Sequence, residues 1–175
     1  DDDTFVIGHI GRFVAQKNHT FLIDIFNEVH KEKENSVLLL VGQGPLENEI
    51  KEKVNRLGLS DSVKFLGQRD DVSELYQAFD VFLLPSLYEG LPVVGVEAQA
   101  AGLLCVLSSD MTKKTKILDS TEFFDLNQDV KEWANKILNN DLNNRKEKCE
   151  NLINSQYNIK KEAVRLEEKY IIKDK

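Results

Sequence analysis

Residues 81–84, Val-Phe-Leu-Leu, form an apolar run with no alternation of polar and apolar side chains. A strand with one wet face must alternate, so an unbroken run of this length suits a central parallel strand covered on both faces. Pro85 ends it, because proline has no N–H to give a sheet. Similar short runs recur at 5–10, 37–41 and 103–107, and shorter ones at 63–67 and 123–124. Between them lie stretches with apolar residues at helical spacing, including Phe21, Leu22, Ile25, Phe26 and Val29, and then Leu46, Ile50, Val54 and Leu57. Strands of about five residues alternating with amphipathic helices predict βαβ units, hence an α/β, doubly wound parallel sheet of about six strands.

The predicted helices occupy about 19–32, with Asn18 as N-cap, then 46 to Gly58, and a third carrying Val72, Leu75 and Phe79 behind Asp71 as cap. A fourth begins at Pro92, where a missing N–H costs nothing, and runs to Gly102. Three more close the chain. They carry Val130, Trp133, Ala134, Ile137 and Leu138; then Leu142, Cys149, Leu152 and Ile153; and, from about Ile159, Ala163, Leu166 and Tyr170. A core over about 5–140 is expected, with C-terminal helices over about 141–172, all within one domain.

Composition narrows the partners. A net charge of −7 disfavours a general nucleic-acid or anionic-membrane binder, which needs a basic surface. Cys105 and Cys149 read as free thiols of a reducing compartment, and no apolar run approaches the roughly 20 residues that span a bilayer. His9 falls in a strand, His19 follows a cap and His30 belongs to the wet side of a helix, which is no metal-ligand pattern. The chain opens on Asp1 to Asp3 without an initiator methionine, so a piece of a longer protein is expected.

In a doubly wound sheet, ligands bind beyond the carboxyl ends of the strands. Four loops therefore pool on one rim. The first holds Gly11, Arg12 and Lys17; the second Gly42, Gln43 and Gly44; the third Gln68 and Arg69; the fourth Ser86 to Gly90. The fourth leads into a helix N-terminus, where unpaired N–H groups and the helix dipole suit an anion. Arg12 and Lys17 are either a diphosphate site or two solvated cations. Glu89 is either a ligand contact or an exposed loop acid. Glu97 either meets ligand hydroxyls or bridges to Arg12 or Arg69, since a bare carboxylate in an apolar helix needs donors. Gly42 and Gly44 alone specify no more than a tight turn, because a third glycine of the dinucleotide fingerprint is missing.

Taken in order, four motifs resemble the nucleotide-binding, C-terminal half of the retaining group 1 glycosyltransferases of GT-B fold. They are Gly11-Arg12 with Lys17; Leu40-Val41-Gly42-Gln43-Gly44-Pro45; Phe65-Leu66-Gly67-Gln68-Arg69-Asp70-Asp71-Val72; and the stretch from Phe79 to Gly102 with Glu89 and Glu97 eight apart. The likeness covers about 5–108 and looks closest to the branch building exopolysaccharide or capsule, on Gln16-Lys17-Asn18-His19 and on residues 86–93.

The resemblance implies that Arg12 and Lys17 bind a donor diphosphate and that Glu97 accepts from ribose hydroxyls. It places Glu89 near the donor sugar, the N–H groups of Gly90, Leu91 and the start of the helix at Pro92 on sugar or phosphate, and Gly11, Gly42, Gly44, Arg69 and Val72 around base and phosphate. It further implies a UDP-sugar donor, no metal or other cofactor, a saccharide or lipid-linked acceptor, and a cytoplasmic enzyme docked at the inner membrane face. An amino-terminal acceptor lobe, absent from this chain, would complete the site, so the isolated domain is expected to be inactive or nearly so. Leu103 and the Lys113-Lys114-Thr115-Lys116 segment depart from the family pattern, and those lysines are open to a phosphate-bearing acceptor instead. Two other readings remain: half of a nucleotide-sugar epimerase, and a non-catalytic nucleotide-binding or interaction module.

Overall fold

The computed structural model describes residues 3–140, 145, 161–165 and 167–168. Six parallel strands, β1 (Phe5–Ile10), β2 (Ser36–Val41), β3 (Val63–Gly67), β4 (Val81–Leu84), β5 (Leu104–Ser108) and β6 (Thr121–Phe124), lie in the order β3-β2-β1-β4-β5-β6. Every pairing is parallel, with Ile7 beside Leu38 on one side and Val81 on the other. This is the doubly wound order, and strand succession reverses between β1 and β4. The unbroken apolar runs have their cause here: β4 and β5 are buried at every residue, whereas edge strand β3 exposes Lys64.

Helices α1 (His19–Glu32), α2 (Glu47–Arg56) and α5 (Val130–Leu138) cover one face, and α3 (Val72–Ala78) and α4 (Val93–Ala100) the other. On the first face Trp133 is fully buried, edge-on to Phe21 at 5.6 Å and tilted against Phe124 at 5.4 Å between ring centres. On the second, the Phe79 ring lies flat against Gly8 of β1; a Cβ there would come within 2.1 Å of it. Both faces are therefore closed by aromatic rings, and on the second the missing side chain of Gly8 makes room for one.

Several local expectations differ. Leu57 is 39% exposed, because α2 stops at Arg56 and Gly58, at φ +72°, turns the chain away from the core. Pro92 is the N-cap of α4 rather than its first helical residue. Asn18 and Asp71 occupy N-cap positions but neither side chain caps; Asn18 is left-handed at φ 53°. His30 is half-buried, hydrogen-bonded to Ser36 Oγ at 2.9 Å and Ser62 Oγ at 3.2 Å, so it is not on a wet face. The helices expected around Leu142, Cys149, Leu152 and Ile153, and around Leu166 and Tyr170, fall outside the described residues; Ala163 is helical and exposed.

Candidate active site: a rim divided between two cavities

The carboxyl ends of β1, β2 and β3 open into a cleft of about 680 Å³. Gly11, Arg12, Gly42, Gly44, Arg69 and Val72 line it, together with Gln43, Pro45 and Gln68. Half of the residues singled out from sequence are thus brought to one wall. Arg12 is exposed and, among the described residues, has no ion-pair partner. A free guanidinium at the mouth of a cleft is a ready partner for an anion.

The two glycines of the second loop have a structural cause. Gly42 sits at φ +132°, and a Cβ on it would fall 2.1 Å from the Gly11 carbonyl oxygen; at Gly44 it would fall 2.5 Å from that of Phe13. The first two loops cross at this point and bond through their backbones: Phe13 N–H donates to Gln43 O at 3.1 Å and Leu46 N–H to Phe13 O at 3.1 Å. Close approach of two chain segments is what only glycine permits there. Both glycines form the cleft wall because the loops must cross to make it.

Lys17 parts company with Arg12. Its ammonium reaches Glu89 Oε1 at 2.5 Å, with both side chains mostly buried at 15% and 11% exposure. Glu89 is therefore not an exposed loop acid. Two more bonds join the same loops: Leu87 N–H donates to Gln16 O at 2.8 Å, and the Gln16 amide to Tyr88 O at 2.9 Å. Glu89 also forms a parallel bridge with Met111, which ties the fourth loop to the fifth. Gly90 is exposed with open space around its Cα, Leu91 is 48% exposed and Pro92 is buried.

Behind Lys17 stand two buried imidazoles. His9 bonds through Nδ1 to Leu83 O at 2.8 Å, and that carbonyl can only accept, so the proton is on Nδ1. Its edge faces His19 at 4.7 Å, and His19 stacks on Phe13 at 4.1 Å. Burial, then His19 and Lys17, push the His9 pKa well down; burial, then Lys17, lower that of His19 to about 4. Both rings are neutral near pH 7, so the charge beside Glu89 belongs to Lys17.

Glu97 lies on the second turn of α4 at a separate cavity of about 330 Å³, which shares Val72 with the larger cleft. Neither Arg12 nor Arg69 reaches it. Arg69 is held instead by Asp71, its Nε donating to Oδ1 at 2.8 Å and Nη2 to Oδ2 at 2.5 Å. The partner of Glu97 is the Tyr76 hydroxyl, 3.0 Å from Oε2. In the fifth loop, the Lys113 ammonium lies over the Phe123 ring, 3.9 Å from its centre. Among the described residues no group of His, Cys, Asp and Glu is arranged to hold a metal ion.

Three contributors were not singled out from sequence. Tyr76 completes the spacing Val72, Tyr76, Phe79 along α3 and its C-cap, from which it is legible. Gln16 belongs to the Gln16-Lys17-Asn18-His19 stretch, but nothing in the order of residues says that its amide meets Tyr88. Gln99 stands in an Ala-rich helix, is fully buried and ties α4 to the segment after β5.

The chain also matches known proteins. It is 42% identical over 136 residues to the putative glycosyltransferase EpsF of Bacillus subtilis, covering 77% of this chain and 35% of that protein. It is 30% identical over 178 residues to an Escherichia coli UDP-Gal:alpha-D-GlcNAc-diphosphoundecaprenol alpha-1,3-galactosyltransferase, covering 97% and 46%. The chain thus spans less than half the length of either relative. Among solved structures, Anabaena HepE in complex with UDP and glucose superposes with a TM-score of 0.68 at 27% identity, over 78% of this chain and 38% of that one. The lipopolysaccharide glycosyltransferase WaaG shares the fold at TM-score 0.75 and 22% identity, over 90% and 44%. The model of the family described as glycosyl transferases group 1 matches residues 1–159, and to that family the chain belongs.

Proposed function

We propose that this chain is the donor-binding, C-terminal lobe of a retaining glycosyltransferase, and that a UDP-sugar spans its two cavities. The observation that carries the reading is their junction at Val72, which sets Arg12 on one side and Glu97 on the other. The diphosphate lies between Arg12 and the start of α4, with Lys17 shared between it and Glu89, and the ribose hydroxyls meet Glu97. Gly11, Gly42, Gly44, Arg69 and Val72 surround base and phosphate, and the backbone of Gly90, Leu91 and Pro92 faces the donor sugar.

In the transfer, the bond from the anomeric carbon to the diphosphate oxygen breaks and its electron pair leaves with the diphosphate. Arg12 and Lys17 offset that growing charge, a form of stabilisation strongest where water is excluded. The acceptor oxygen bonds to the same face of the sugar, and its proton passes to the departing phosphate oxygen. Glu89, fixed by Lys17, orients the donor sugar. In this reading Arg12 takes the place of a metal, with Lys17 sharing its charge between the diphosphate and Glu89.

Leu87, Tyr88, Leu91 and Val93 are exposed beside Glu89, at 44%, 62%, 48% and 63%. This apolar rim supports a second, acceptor-binding lobe closing over the site, without which the lobe described here is inactive. The acceptor is a saccharide or lipid-linked sugar; the diphosphoundecaprenol acceptor named for the E. coli relative supports the lipid-linked form. Such an enzyme works in the cytoplasm at the inner membrane face.

Calorimetry of this chain with UDP and UDP-sugars tests the reading. Binding is expected, weakened at least about tenfold by Arg12→Ala or Glu97→Ala, the cost of one charge-assisted hydrogen bond. No binding of any nucleoside diphosphate by the wild-type chain would refute it. Release of an epimerised free nucleotide sugar by the full-length enzyme, with no new glycoside, would refute the transfer step.

A further inference from the structure

Glu97 is exposed, stands on a short apolar helix, and has no ion-pair partner among the described residues. Among the described residues its carboxylate has one hydrogen bond, to a phenol that is itself 3% exposed, and a free carboxylate on a helix surface would otherwise sample several rotamers. We propose that Tyr76 is a positioning residue: its hydroxyl holds Glu97 Oε2 so that Oε1 is presented to the vicinal hydroxyls of a ribose. The proposal rests on the nucleotide reading above and says which residue makes Glu97 a selective ligand.

The buried Tyr76 ring meets Phe79 and Phe82 edge-on, each 5.9 Å away between centres, and these contacts restrict where its hydroxyl can go. That hydroxyl lies 3.1 Å from Val94 O and 3.0 Å from Glu97 Oε2. One proton serves both, and the carboxylate is the stronger acceptor. Burial and the neighbouring Glu97 charge raise the phenol's pKa, which keeps it a donor throughout the working range. Among the described residues Oε1 has no donor, and Glu97 lines the smaller cavity, which shares Val72 with the larger cleft. A vicinal diol supplies the two donors that a fixed carboxylate lacks.

The test is a ligand-by-mutation cycle by calorimetry, with wild type, Tyr76→Phe, Glu97→Ala and the double variant against UDP and 2′,3′-dideoxy-UDP. Phenylalanine keeps both ring contacts and leaves Glu97 in reach of water, so the fold is expected to survive; near-ultraviolet circular dichroism checks it. Tyr76→Phe is expected to weaken UDP about fivefold and dideoxy-UDP less than twofold, and to add less than twofold in the Glu97→Ala background. In the full-length enzyme the loss should appear in KM for the donor with kcat nearly unchanged. If wild type binds UDP but Tyr76→Phe binds it equally well, loses both ligands equally, or weakens UDP further without Glu97, the proposal is overturned. If wild type does not bind UDP, it is the nucleotide reading that fails.

Discussion

Replacing Gln99 by leucine probes how the fifth loop is held at the site. Gln99 is fully buried, and its amide makes five hydrogen bonds. Nε2 donates to Gly95 O at 2.9 Å and Thr115 O at 2.7 Å. Oε1 accepts from Ile117 N at 2.8 Å, Leu118 N at 3.0 Å and Thr121 Oγ1 at 2.7 Å. Two carbonyls and three donors leave only one orientation of the amide possible. Leucine keeps much of the volume and removes every partner. Gly95 O retains its helical bond and the Thr121 hydroxyl can turn, but Thr115 O and the Ile117 and Leu118 amides lose theirs. At about 1–3 kcal/mol per buried unsatisfied group, the expected loss is about 4 kcal/mol, a large share of the roughly 5–15 kcal/mol of a whole domain. Urea titration of wild type and Gln99→Leu measures it, and hydrogen exchange should show protection lost first at Ile117 and Leu118. A loss below about 1 kcal/mol, with those amides still protected, would refute the accounting.

Two further outcomes are expected. His19, at a folded pKa of about 4 against 6.5 unfolded, binds fewer protons folded than unfolded between those values. Its stabilising contribution is therefore complete above pH 6.5 and falls by about 3 kcal/mol on acidification to pH 4; urea midpoints across that window should show the slope, and His19→Phe should make it shallower, leaving the part that buried His9 contributes with the same sign. Gly44→Ala drives a Cβ against the Phe13 carbonyl and should cost about 2–3 kcal/mol, whereas Gly90→Ala meets nothing within 4 Å and should leave the thermal midpoint almost unmoved.

Much of the fold was legible because it is written locally. Unbroken apolar runs mark strands buried on both faces, and the 3.6-residue stripes mark α1, α2 and α5, so the parallel sheet and its rim follow from pattern alone. Helix ends are less legible: residue type points to capping at Asn18 and Asp71, but a side chain takes the best partner in space, and for Asp71 that is Arg69. Leu57 failed for a similar reason, since a stripe does not say where the chain turns away.

At the site, the sequence by itself determined which residue types stand on the rim, because strand ends and loops are set by short-range pattern. It did not determine who pairs with whom. Lys17 and Glu89 are 72 residues apart, and Tyr76 and Glu97 are 21 apart. Arg12 and Lys17, close in the chain, divide between the open cleft and a buried ion pair because the first loop crosses the second at Gly42 and is tied to the fourth at Gln16. Hydrogen bonds and ion pairs act only within a few ångströms, so their partners are decided when distant segments pack. Tertiary structure alone made that choice.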